Sequence, residues 1–171
     1  MRQRLYLASL ATGLLASCGS DGTPAVDATP GVDAAAVDAA PPLGNLVINE
    51  VAAAGEPADW FEVVNATAAA IDLGEYVFVD IANDFVKAKP FPSMSLAPGA
   101  YYVQEVTDLD AGFKLGSDEE LWVYRAADQR LADSVDWAEG ASPLGGSYAR
   151  VPDTTGAFTT VTPATRGAAN N

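Results

Sequence analysis

From Leu46 onward, short apolar or aromatic runs alternate with clusters of Gly, Pro, Asn and Asp. Runs of about four to eight residues rich in Val, Ile, Tyr, Phe and Trp, bounded by such turn formers, are typical of β-strands. This pattern predicts strands over residues 46–52, 60–64, 76–81, 100–106, 120–125, 132–137 and 147–151. Two shorter strands are expected near residues 70–73 and 158–161.

The runs also alternate internally, as in WFEVV at 60–64 and LWVYR at 121–125. In such segments one set of alternate side chains can face a core while the other faces water or a sheet edge. No window carries an apolar stripe with the helical period. Seven to nine strands at this spacing favour two packed sheets over a sheet covered by helices. The predicted fold class is therefore all-β, an antiparallel β-sandwich.

The chain divides into three zones, which are residues 1–17, 18–43 and 44–171. The last zone holds all three Trp and most of the other large apolar residues, enough for one domain with a single core. The middle zone is built of Ala, Val, Asp, Pro and Gly, with Val-Asp-Ala recurring at positions 26, 32 and 37. Such a composition predicts a disordered tether. A short Ala-rich helix over residues 33–40 is the alternative.

The first zone has the features of a secretory signal. Arg2 and Arg4 precede an apolar run over residues 5–15, and small residues follow it. The sequence Leu-Ala-Ser-Cys at 15–18 carries the only cysteine and resembles a bacterial lipobox. This resemblance implies cleavage after Ser17 and a covalent lipid on Cys18. Gly19 in place of Asp implies sorting to the outer membrane rather than the inner one.

Two plainer interpretations of this zone are a secretion signal with an incidental cysteine and a short transmembrane anchor. The apolar run is too short to span a bilayer, which takes about 20 helical residues. A lone thiol in an exported protein is a liability that lipidation removes. The sequence therefore predicts an exported protein attached to a membrane through lipid on Cys18.

Charge and composition exclude several functions. The chain carries 23 Asp and Glu against 9 Lys and Arg, a formal net charge of −14. This balance argues against nucleic acid as a partner, because phosphate backbones are bound through Lys and Arg. The chain has no His, so the usual catalytic triad and most zinc sites are ruled out. With Cys18 used as an anchor, neither a disulfide nor a thiolate nucleophile is expected.

The order of motifs in residues 44–171 is similar to the lamin-tail domain, an immunoglobulin-like sandwich. The matching segments are LVINEV at 46–51, DWFEVVN at 59–65, IDLGEYVFVD at 71–80, LAPGAYYV at 96–103, EELWVY at 119–124, DSVDW at 133–137, SYAR at 147–150 and the ending 162–170. Two positions depart from the family pattern. Ala164 follows the last Thr-Pro where glycine is usual, and Asp128-Gln129 occupies a turn that would be expected to carry glycine. The resemblance implies an immunoglobulin-like fold and association rather than catalysis.

Four polar residues of the predicted strands are the main candidates for a site: Glu50, Glu62, Asn65 and Arg150. One interpretation makes the two carboxylates an acid-base or metal-binding pair. The favoured one is structural, with one or both carboxylates paired to Arg150 and to backbone donors, because half-buried charges persist mainly when paired.

Two further sites are alternatives. Asp108 and Asp110 are the nearest approach to a calcium loop, but the third oxygen ligand and the distal Glu are missing. Trp60, Tyr101, Tyr102 and Trp137 could stack on sugars, although core positions are favoured for them. We therefore expect a non-enzymatic protein, with no cofactor besides its lipid, that binds a protein partner. A calcium-dependent or carbohydrate-binding surface module is the alternative.

Overall fold

The computed structural model describes residues 40–107 and 111–171. This part of the chain forms eleven β-strands and one short 3₁₀ helix, Leu73–Glu75. The strands are β1 Leu46–Ala52, β2 Asp59–Asn65, β3 Ile71–Asp72, β4 Tyr76–Val79, β5 Lys89–Pro90, β6 Ser95–Leu96, β7 Tyr101–Val106, β8 Glu119–Arg125, β9 Arg130–Trp137, β10 Ser147–Val151 and β11 Ala157–Val161.

The strands form two main antiparallel sheets and a small β3-β6 pair. The five-stranded sheet has the order β11-β10-β1-β2-β7, and the four-stranded sheet has the order β5-β4-β8-β9. Within these orders, β1-β2-β7 and β5-β4-β8-β9 follow the arrangement of the two sheets of an immunoglobulin-type sandwich. The hairpin of β10 and β11 extends the first sheet beyond β1. The predicted all-β antiparallel sandwich is confirmed.

The core lies between the two sheets and is built by alternate residues of each strand. Phe61 and Val63 of β2 point into it, as do Leu121 and Val123 of β8, and all four are fully buried. Period-two alternation therefore sends Trp60, Glu62 and Val64 of β2 to the opposite, outer face of the five-stranded sheet. These three residues are also buried, so a further layer covers that outer face.

A β-bulge in β1 determines which of its side chains face outward. The pairing of β1 with β2 shifts between Ile48 and Glu50, while Ile48 and Val51 both lie in the core. Strict alternation would place Glu50 on the same face as Ile48. The bulge inserts one extra residue, so Asn49 and Glu50 both leave the core side. Glu50 consequently sits directly opposite Glu62 on β2.

Candidate functional site

Glu50 and Glu62 share the outer face of the five-stranded sheet, and neither side chain is exposed to solvent. They are cross-strand partners, a placement in which like charges repel unless other groups compensate. Residues 162–171, which we call the C-terminal cover, lie over this face and supply that compensation. The arrangement of donors shows what the carboxylates do.

Glu50 is held by three donors. The Ser147 hydroxyl donates to its Oε1 at 2.5 Å. The Thr165 backbone N–H donates to the same oxygen at 2.7 Å, and the Thr165 hydroxyl donates to Oε2 at 2.9 Å. Both carboxylate oxygens are therefore occupied, and two of the three bonds come from the C-terminal cover.

Glu62 is held in the same way by two donors. Asn49 Nδ2 donates to its Oε1 at 3.0 Å, and the Gly167 backbone N–H donates to Oε2 at 2.6 Å. Burial raises the pKa of Glu62 to about 7, and the charges of Glu50 and Asp153 add to the rise. The two hydrogen bonds oppose that rise without cancelling it.

Asp153, Asn49 and Asn170 complete this network. Asp153 Oδ1 accepts hydrogen bonds from Asn49 Nδ2 at 3.0 Å and from the Asn170 backbone N–H at 2.9 Å. Asn170 Nδ2 donates to the backbone oxygens of Asn49 and Arg150 at 3.0 and 3.1 Å. The Tyr101 hydroxyl donates to Asp153 Oδ2 at 2.8 Å. Burial raises the pKa of the Asp153 carboxyl, but these hydrogen bonds outweigh it and lower the pKa overall.

The chemistry of this face is structural. All four oxygens of the two glutamates accept bonds from the chain's own donors, and the C-terminal cover fills the space above them. Such fully satisfied buried groups fasten one segment to another. Asn49, Asp153 and Asn170 were not predicted as members of this site. The polar pair Asn49-Glu50, which interrupts an otherwise apolar strand, is a signal for Asn49 but not for the other two.

Arg150 does not neutralise Glu50 or Glu62, so the predicted pairing is wrong. Its guanidinium forms a salt bridge to Asp133 of β9 at 3.0 Å, and its Nε donates to the Ile48 carbonyl at 2.9 Å. The reason is strand alternation. Ala149 is the register partner of Glu50, so the next residue, Arg150, points to the opposite face and reaches the other sheet. The backbone donors expected for the carboxylates are present, on Thr165 and Gly167.

Asn65, the fourth predicted residue, lies apart from the two glutamates at the end of β2. Its Nδ2 donates to the Ala69 and Leu96 carbonyls, at 2.8 Å each. Its Oδ1 accepts from the backbone N–H and the hydroxyl of Thr67. Asparagine thereby closes the turn that follows β2, as short polar side chains commonly do.

The candidate aromatic residues are mostly in the interior. Trp60 and Trp137 are 3 % and 2 % exposed, and Trp137 Nε1 donates to the Gly116 carbonyl at 2.9 Å. Tyr101 and Tyr102 are half-buried in β7. Burial, followed by the hydrogen bond to Asp153, raises the pKa of Tyr101 to about 12. These side chains form no exposed stacking platform together.

Three predicted residues, Cys18, Asp108 and Asp110, lie outside the described residues. Within the described part, no group of three or more carboxylate, Cys or His side chains is placed to hold a metal ion. The same part contains no helix whose length and hydropathy suit a membrane span.

A second region of the sandwich is open rather than covered. An aromatic groove of about 490 Å³ runs between the β5 end of one sheet and the β7 end of the other. The residues that line it are Phe78, Lys89, Pro90, Phe91, Pro92, Tyr102, Gln104 and Ala111. Phe78, Phe91 and Ala111 form a buried apolar floor, while the two prolines are exposed at the rim.

The groove lies beside a free strand edge. β7 is the last strand of its sheet, and its far edge pairs with no strand among the described residues. β5, across the groove, is blocked as a pairing edge because Pro90 has no backbone N–H. The edge of β9 is partly used, since the N–H groups of Leu43 and Gly44 donate to the Leu131 and Ala132 carbonyls. The groove thus combines an apolar floor with the open backbone of β7.

Comparisons with known proteins give no relative for this arrangement. No protein-family model, no curated protein and no solved structure matches the chain.

Proposed function

We propose that this chain is an exported lipoprotein, held on the outer membrane through lipid on Cys18, whose sandwich binds a partner protein without catalysis. The observation that supports binding most directly is the free edge of β7 beside the aromatic groove. A sheet edge offers unpaired backbone donors and acceptors to an extended segment of another protein. The floor of the groove offers that segment apolar contacts.

A non-catalytic role agrees with the chemistry of the described residues. The two strand glutamates are occupied by donors of the C-terminal cover, and the chain has no His to activate a nucleophile. The resemblance of residues 44–171 to lamin-tail domains favours association in the same way. The strongly acidic composition favours a protein partner over nucleic acid.

The anchor is tested by detergent phase partitioning and by mass spectrometry of the mature N-terminus. We expect the native chain in the detergent phase, with Cys18 as an acylated first residue. A Cys18→Ser variant should move to the aqueous phase or keep its signal. Recovery of the unaltered chain in the aqueous phase with an unmodified Cys18 would contradict the anchor.

The binding edge is tested by photo-crosslinking the full chain in its native cells. We place p-benzoyl-phenylalanine at Gln104, which lies on the groove side of β7, and at Thr159 of β11 as the matched control on the opposite edge of the sheet. Irradiation should give a discrete adduct with another protein from position 104 and none from position 159. Equal adducts from both positions, or none from position 104, would reject β7 as the binding edge.

A further inference from the structure

We infer that the aromatic groove selects an extended partner segment with apolar side chains at alternate positions and one carboxylate that pairs with Lys89. This inference rests on the proposed function and names the chemistry of the partner at the same site. It rests on three observations. These are the direction in which the β7 side chains point, the apolar residues at the floor of the groove, and the lack of a salt bridge between Lys89 and any described residue.

The facing of β7 determines which partner side chains enter the groove. Tyr102 and Gln104 are register partners of Val63 and Phe61, which point into the core, so both face the inner side of the sheet. A strand added to the free edge of β7 continues the same pleat. Alternate side chains of that strand would therefore project over the groove, and those between them would project outward.

The floor of the groove accepts apolar rather than polar side chains. Phe91 is 3 % exposed and packs against Phe78, with ring centroids 4.9 Å apart, and against Tyr102, with centroids 6.1 Å apart. The groove volume of about 490 Å³ lies within the usual range of binding pockets, about 300–1,000 Å³. Apolar groups of a partner would be removed from water against these rings.

Lys89 supplies the charge at this groove. Its ammonium forms no salt bridge with a described residue, whereas the neighbouring Lys87 is paired with Asp84 at 3.6 Å. Gly112 stands beside it, and a Cβ there would lie 3.9 Å from Lys89 Nζ, in ordinary van der Waals contact. A carboxylate on the partner would complement it.

The overall charge of the chain limits this complementarity to a single acidic group. With a formal net charge of −14, the protein repels strongly acidic segments as they approach. One carboxylate that reaches Lys89, within an otherwise uncharged apolar segment, gains the local attraction with little long-range repulsion. The partner segment is thus apolar on the face that enters the groove, apart from its single carboxylate, and it carries little net charge.

The test uses the full chain and a defined peptide, acetyl-Thr-Val-Thr-Phe-Thr-Glu-Thr-amide, labelled with a fluorophore and followed by anisotropy. Its Val, Phe and Glu share one face in an extended conformation. Two control peptides are a Lys-for-Glu version and a version of equal composition in which Val and Phe are adjacent. We expect saturable binding of the first peptide and binding at least about fivefold weaker for both controls.

Variants of the chain then test Lys89 itself. Lys89→Glu should weaken binding of the Glu peptide about five- to tenfold and strengthen binding of the Lys peptide. Lys87→Glu introduces the same charge change two residues away and should leave both affinities unchanged. Melting curves establish whether both variants are folded. If Lys89→Glu does not fold, Lys89→Met takes its place in the binding measurements.

Three results would overturn the inference. They are no binding of the Glu peptide up to about 1 mM, equal binding of all three peptides, and equal effects of Lys89→Glu and Lys87→Glu. A groove that is filled by a second copy of the chain would give the first of these results together with a dimer in sedimentation. In each case a persisting crosslink from position 104 to another protein would leave the proposed function standing.

Discussion

The covered face lies on the outer side of the five-stranded sheet, whereas the aromatic groove lies between the β7 end of that sheet and the β5 end of the other. The two regions are opposite in character. The covered face holds Glu50, Glu62 and Asp153, the residue types that usually suggest chemistry, yet its hydrogen-bonding groups are satisfied by the C-terminal cover. The groove is built around Tyr102 and the core residues Phe78 and Phe91, yet it opens to solvent beside the edge of β7, which pairs with no strand among the described residues.

The difference teaches that availability, rather than residue type, marks the binding site here. A buried carboxylate with full hydrogen bonding is already committed, because removing its donors costs free energy. The backbone groups at the edge of β7 pair with no strand among the described residues, so they remain available and gain hydrogen bonds when a partner strand pairs with them. Changes at the two regions should therefore separate stability from binding.

The largest expected effect comes from removing the C-terminal cover by ending the chain at Val161. Glu50 then loses both donors from Thr165, and Glu62 loses the Gly167 N–H, while both stay in the sheet. We expect the free energy of unfolding to fall by about 3–5 kcal/mol, because these three hydrogen bonds are lost and each contributes about 1–1.5 kcal/mol. Urea unfolding measures the change.

Removal of Asn171 alone, which is exposed, is the control for this truncation and should alter stability by less than about 0.5 kcal/mol. If the longer truncation unfolds at the same urea concentration as the full chain, the C-terminal cover is not what holds the two glutamates. The covered face would then be open to other ligands, and the contrast with the groove would disappear.

The next largest effect is expected for Arg150→Ala. This change removes the salt bridge to Asp133 and the hydrogen bonds to the Ile48 and Gly156 carbonyls. It also removes the contact of the guanidinium with the Phe158 ring, at 4.5 Å from its centroid. Because Asp133 is left without its cation, we expect a loss of about 2–4 kcal/mol in urea unfolding.

Arg125→Ala is the matched control for Arg150→Ala. Arg125 pairs with Asp128 in the exposed hairpin between β8 and β9, and this hydrogen-bonded pairing lowers the pKa of Asp128 to about 2. Solvent screens exposed pairs, so this control should lose clearly less stability than Arg150→Ala. Equal losses for the two variants would mean that the salt bridge between Arg150 and Asp133 stabilises the fold no more than an exposed salt bridge does.

A smaller effect is expected from pH, through Glu62. Its pKa is raised from about 4.5 in the unfolded chain to about 7 in the folded one. The folded state therefore binds the proton more tightly, and the contribution of Glu62 to stability falls as pH rises through this window. We expect the free energy of unfolding to decrease by about 2–3 kcal/mol between pH 4.5 and pH 7.5 from this group.

Chemical denaturation across that pH range, with Glu62→Gln as the comparison, measures this contribution. Glu62→Gln cannot ionise, so its profile should be flatter than that of the parent chain over the same interval. Identical slopes for the parent and the variant would show that another group titrates in place of Glu62. Peptide binding at the groove should follow neither profile, since Glu62 faces the opposite side of the sheet.

Most of the sandwich could be predicted from strand patterning, whereas the site could not. Both β1 and β10 have their predicted bounds, and the other long strands are shifted by at most two residues at either end. The short strands β5 and β6 were not predicted, because they contain only two residues each and Pro90 argues against pairing. Edges and grooves depend on which strands lack a neighbour, and local sequence does not report this.

The partners of the charged residues were missed for a related reason. A single β-bulge reverses the facing of Glu50 relative to Ile48, and bulges leave little trace in sequence. Once Glu50 faces outward, alternation along β10 places Ser147 beside it and Arg150 on the other side. Of the four predicted residues, the structure brings Glu50 and Glu62 together, whereas Asn65 closes the turn after β2 and Arg150 pairs with Asp133 of the other sheet.

The smallest expected effect compares one hydrogen-bonding side chain in each region, Ser147→Ala on the covered face and Gln104→Ala at the groove. Ser147 is fully buried and donates to Glu50, so its removal leaves a buried carboxylate with one donor fewer, at a cost of about 1–2 kcal/mol. Gln104 is partly exposed and its side chain bonds mainly to the neighbouring Glu105 carbonyl, so its truncation should cost less than about 0.5 kcal/mol.

Urea unfolding and peptide anisotropy on the same two variants should rank them in opposite orders. Ser147→Ala should lose more stability, and Gln104→Ala should lose more affinity for the peptide. If Gln104→Ala costs more stability than Ser147→Ala, the rim of the groove is a structural element, and the division between a committed face and an available one fails.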